Sequence, residues 1–115
     1  MIQSYNVDIA AKYGITEAVL IQTFASLLIE DKDNTEIHNG LHYRPIAAKT
    51  LLKLHPEFGN TKRILSTIGK LVSSDIISRG NFSTSLSNTY WYAFTDNGLS
   101  VVSDFLDIHA DYEIN

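Results

Sequence analysis

The chain contains no cysteine among its 115 residues, which excludes a disulfide framework, thiolate catalysis and a cysteine zinc site. Proline occurs only twice, and 44% of the residues are apolar, the composition of one small folded domain. A chain of this size buries about two-thirds of its unfolded surface, enough for a core without cross-links. No apolar run approaches the ~18 residues that a membrane span requires. The opening Met1-Ile2-Gln3-Ser4-Tyr5-Asn6 has no basic stretch followed by an apolar one, so no leader is expected there. A cytoplasmic protein without a membrane partner is expected. There is no nucleophile elbow and no glycine-rich phosphate loop, and a short chain leaves little room for a substrate cleft, so no enzyme is expected. His38, His42, His55 and His109 have no spacing suited to a metal, and no cofactor is implied.

What the chain does have is segregated charge. Residues 1–43 carry two bases and six acids, a net of −4. Residues 44–95 carry seven bases (Arg44, Lys49, Lys53, Lys62, Arg63, Lys70 and Arg79) and two acids, a net of +5. Residues 96–115 carry five acids and no base. Either a basic working surface sits on an acidic body, or folding scatters the charges into an ordinary solvated mixture.

Hydrophobic spacing and punctuation predict the elements. A helix over Val7 to Tyr13 stops at Gly14, and a second starts with Thr16 as N-cap, Glu17 in its first turn and Ile15 stapled on Leu20. That helix, to about Glu30, is apolar nearly all round, so it is either central or shared with a second copy of the chain. Asn39-Gly40 between short apolar arms predicts a two-residue hairpin over Ile37 to Tyr43. Pro45 suits the first turn of a helix reaching Leu54, with Ile46, Thr50, Leu51 and Leu54 inward. Asn60 caps the next helix, whose inward stripe is Ile64, Leu65, Ile68, Leu71 and Val72. Its opposite stripe, Arg63, Ser66, Thr67, Lys70 and Ser74 with Lys62 on the flank, holds no carboxylate. Gly69 in mid-helix costs about 1 kcal/mol relative to alanine, which suggests close approach by something. Strands are expected over Ile76 to Arg79 and Thr89 to Phe94, the second alternating and aromatic. Thr95 or Asp96 then caps a closing helix with Leu99, Val102, Phe105 and Leu106 inward and Asp104, Asp107 and Asp111 outward.

This order of elements is that of a winged helix-turn-helix, an α+β fold that is mostly helical, with a short hairpin arm and a two-stranded wing. One domain fills residues 1–115, with the recognition helix at about 60–74, the wing at about 76–94 and the closing helix at about 97–107. Three stretches carry a family resemblance: Ala11-Lys12-Tyr13-Gly14-Ile15-Thr16-Glu17-Ala18, His38 through Pro45, and Phe58 through Leu65. With the aromatic ending Tyr90 through Gly98, they look like the N-terminal winged-helix domain of phage replisome organisers and DnaD-like primosome proteins. The resemblance implies replication initiation, with this domain binding DNA or partners and self-associating. Family members usually continue into a second, C-terminal DNA-binding domain, and their recognition helices are typically richer in Lys and Arg.

Lys62, Arg63, Ser66, Thr67 and Lys70 are the candidates for contact with double-stranded DNA, joined by Arg79 and Asn88 at the wing. Ser83, Thr84, Ser85 and Ser87 share the wing loop. The residues equally suit the solvated side of an amphipathic helix and an ordinary turn. The apolar second helix predicts a homodimer through Leu28 or Ile29. The acidic stripe of Asp104, Asp107 and Asp111, with Glu113, opens a rival class: a small acidic phage-like protein that binds and inhibits a host replication or defence protein. Transcriptional regulation is the other role such a DNA-binding domain would serve.

Overall fold

The computed structural model describes residues 7–82 and 89–104. Among them are the helices α1 (Val7–Tyr13), α2 (Ile15–Ala25), α3 (Ala48–Leu54), α4 (Thr61–Ser73) and α5 (residues 96–104). The strands are β1 (Glu36–His38), β2 (Leu41–Pro45), β3 (Ile77–Gly80) and β4 (Trp91–Phe94). All pair antiparallel in one sheet of order β1-β2-β4-β3, and the architecture is α+β.

Gly14, at φ 107°, separates α1 from α2 and is itself the N-cap of α2. Thr16 therefore lies inside the helix rather than capping it, and its hydroxyl donates to Glu17 Oε2 at 2.9 Å. The staple on Leu20 does not form, because Ile15 is 58% exposed. α2 runs on through a π-helical turn at Ser26–Glu30 and lies at the centre of the fold, which accounts for its composition. Val19, Leu20, Ile21, Phe24 and Leu28 are buried and Ile29 packs against the same core. The apolar surplus that suggested a second copy is confined on α2 to Ile15.

Asn39 (φ 55°) and Gly40 (φ 80°) make the expected hairpin turn, with Glu36 opposite Tyr43 and His38 opposite Leu41. Pro45 does not open a helix. It ends β2 opposite Trp91, and α3 starts at Ala48 behind the extended Ala47. Consequently α3 turns inward at Leu51, while Thr50 and Leu54 are exposed. Trp91 to Phe94 are all buried, so β4 does not alternate: it is one of the two inner strands and is covered on both faces. One face joins the main core; the other holds Tyr43, Trp91 and Ala93 under Leu41 and Phe82.

α4 ends in a Schellman motif. Ile76 N–H donates to Leu71 O at 3.0 Å, Asp75 N–H donates to Val72 O at 3.1 Å, and Asp75 is left-handed at φ 59°. Thr95 and Asn97 fasten that corner: the Asn97 amide donates to Asp75 O at 3.1 Å, and Thr95 N–H donates to Ile76 O at 3.1 Å. Thr95 Oγ1 also accepts from Gly98 N–H at 2.9 Å, so Thr95 is the cap of α5. On α5, Val102 is buried, whereas Leu99 is exposed; Phe105 and Leu106 lie outside the described residues.

Candidate nucleic-acid interface

α4 is held by its cap and by its buried stripe. Asn60 Oδ1 accepts from Arg63 N–H at 2.9 Å, and Ile64, Ile68 and Leu71 are fully buried. At 3.6 residues per turn, that burial turns Lys62, Ser66, Gly69 and Ser73 outward. The outward line thus lies about a residue away from the stripe expected at Arg63, Ser66, Thr67, Lys70 and Ser74. Lys62 and Ser66 face solvent as expected.

Thr67 departs from its expected role. It is 7% exposed, with its hydroxyl donating to Arg63 O at 2.9 Å, so it is part of the helix's inner side and presents no donor to a ligand. Gly69 does not make room for a neighbour within the chain, because a Cβ there would meet nothing within 4 Å.

Arg63 and Lys70 are exposed and flank the outward line on the side of α2. They line a cleft of about 440 Å³ with Val19, Glu57 and Phe58. Lys70 Nζ lies 3.6 Å from Glu17 Oε1, whose side chain is 9% exposed. The cation is thereby drawn toward the α1–α2 joint rather than straight outward. Lys12, at the end of α1, lines a second groove with Lys70, Ser66 and Ser73, a proximity that no local pattern signals.

Arg79 is exposed on β3, with its guanidinium carbon 5.0 Å from the ring centre of Tyr90. Asn88, with Ser83, Thr84, Ser85 and Ser87, lies outside the described residues, as do Asp107, Asp111, His109 and Glu113; Asp104 is exposed. Arg44 leaves the basic surface altogether. Its Nη1 donates to Leu27 O at 3.0 Å and to Asp31 Oδ2 at 2.7 Å, clamping β2 to the end of α2. The Asn34 amide, then Arg44, holds the Asp31 carboxyl below its ordinary value.

The remaining histidines serve contacts within the fold. His55 Nε2 lies 2.6 Å from Thr23 Oγ1, His42 Nδ1 lies 3.1 Å from Thr35 Oγ1, and His38 stacks on Phe82 with ring centres 4.0 Å apart. Among the described residues no group of three acids or histidines is arranged to hold a metal ion, and no helix is long and apolar enough to cross a membrane. Of the aromatic run, Trp91, Tyr92 and Phe94 are core, and burial pushes the Tyr92 phenol up from its usual range. Tyr90, by contrast, is 45% exposed.

No family model matches this chain, and neither a curated protein nor a solved structure matches it.

Proposed function

We propose that the chain is a winged helix-turn-helix protein that binds duplex DNA without catalysing a reaction, in phage-type replication initiation or in transcriptional regulation. The observation that carries this reading is the placement of α4. It follows α3 through the turn at Pro56–Phe58 and precedes a β3–β4 ribbon whose inner strand pairs with β2. Lys62, Ser66 and Arg63 stand on its solvent side, and Arg79 stands on the ribbon. A helix of that diameter fits the major groove, the cations engage phosphates, and the small Ser66, Gly69 and Ser73 keep the helix surface low enough for close approach.

Binding of a labelled mixed-sequence duplex, followed by fluorescence anisotropy across a salt series, tests it. The wild type should bind at low salt, and the log–log slope should be about −3 if about three or four phosphates are engaged. The double variant Lys62→Glu, Arg63→Glu should lose binding while keeping its circular dichroism, because neither side chain is part of the core. Lys70→Gln is the suitable change at the third position, since a carboxylate there would face Glu17. A wild type that binds no duplex at low salt refutes the reading.

A further inference from the structure

A groove of about 350 Å³ opens on the flank of α4 away from Arg63 and Lys70, between the start of α3, the first turns of α4 and the start of β4. Its walls include Lys49, Thr61, Leu65, Thr89 and Tyr90, and among the described residues no carboxylate lines it. That distinguishes it from the two clefts on the other flank, which contain Glu57 and Glu17, and from the apolar one beside β2, which contains Asp96. Tyr90 is held rigidly in place: its carbonyl accepts from Ile46 N–H at 3.1 Å, extending the β2–β4 ladder by one bond. Its ring is nevertheless exposed, and the Arg79 guanidinium packs on it.

From this geometry we infer that the groove binds one nucleotide unit of single-stranded DNA, with the base packed on the Tyr90–Arg79 pair and the phosphate beside Lys49 and the Thr61 hydroxyl. Exposed aromatic rings beside cations are the recurring means of holding unpaired bases, because every base has a π-face. The volume lies at the low end of the ~300–1,000 Å³ of small-ligand clefts, enough for one such unit and no more. The groove is open to solvent rather than enclosed, which suits a strand laid across the surface better than a free nucleotide. The inference extends the proposed DNA binding to a second, chemically different contact and rests partly on that reading.

A short labelled oligothymidylate, titrated with the full chain at low salt and read by anisotropy, tests it. The wild type should bind; Tyr90→Ala should weaken binding about tenfold or more, and Tyr90→Phe should preserve it. Lys49→Gln should weaken binding and flatten the salt dependence by about the −0.7 expected for one phosphate on a single strand. The neutralised variant Lys62→Gln, Arg63→Gln should weaken oligothymidylate binding much less than Tyr90→Ala does. If Tyr90→Ala fails to fold, Lys49→Gln and Arg79→Gln decide the matter. Unchanged affinity in Tyr90→Ala, or no oligothymidylate binding by a wild type that binds duplex, overturns the inference and leaves the duplex reading standing. Oligothymidylate binding without duplex binding does the reverse. Displacement by free thymidine monophosphate at equal nucleotide concentration overturns the strand as occupant.

Discussion

Replacing Gly98 by alanine sets a β-carbon against the backbone carbonyl of Ile76, 2.9 Å from its carbon and 3.1 Å from Phe94 Cδ1. Neither neighbour can give way easily. The Ile76 carbonyl is fixed by the bond from Thr95 N–H, and Phe94 is buried in β4. Relief therefore requires moving the start of α5, with Val102 behind it, away from the corner at Asp75. Overpacking of this kind costs about 1–3 kcal/mol, and the helical preference of alanine offsets at most about 1 kcal/mol of it. Gly69 is the internal control, a helical glycine of the same chemistry with open space where its Cβ would be. There the gain of about 1 kcal/mol is unopposed. In a chain of this length 1 kcal/mol corresponds to roughly 4–5 °C. Thermal unfolding followed by circular dichroism should show Gly69→Ala melting about 5 °C above the wild type and Gly98→Ala about 5–10 °C below it. Equal shifts of the same sign would refute the reasoning, because they would mean that helix propensity alone governs both sites.

At the end of α4 the left-handed Asp75 should be replaceable by glycine with no loss of stability, whereas Asp75→Ala should cost about 1 kcal/mol in urea unfolding. The pH dependence of the α2–β2 clamp has a definite sign. Asp31 has a depressed carboxyl when folded, so its contribution is present above the ordinary value of 3.8 and is lost as pH falls toward the folded-state value. Acid unfolding monitored between neutral pH and pH ~2 should accordingly show a shallower loss of stability in Asp31→Asn than in the wild type.

Local signals in the sequence were readable at several turns and caps, though not at the start of α2, where Gly14 takes the capping position from Thr16 and Ile15 stays exposed. The Asn39-Gly40 turn, the Asn60 cap and the Thr95 cap each depend on neighbours at most a few positions away, and all three form. The buried stripe of α4 was legible through Ile64, Ile68 and Leu71, but its azimuth was not, because Thr67 looks polar and yet buries by satisfying its hydroxyl on its own helix. Pro45, Leu54 and Leu99 were misplaced for a different reason. Their environment is set by β4 arriving beside β2 and by α5 folding back on Asp75, which no window of a few residues contains. The same holds at the candidate site, where the Lys70–Glu17 approach and the Tyr90–Lys49 groove join segments far apart along the chain.

The sheet order means that the strand made last occupies an interior place, between β2 and β3. Until Trp91 to Phe94 are available, the hairpin β1–β2 and the strand β3 have no hydrogen-bonding partner in common. Closing that gap joins residues near 45 to residues near 91 across α3, α4 and β3, so loop entropy must be lost before the pairing returns any stability. Closure of the sheet should therefore come late in folding, with sheet and helices locking together in one cooperative step. The chain's single tryptophan, in that closing strand and 9% exposed, is placed to report it by fluorescence.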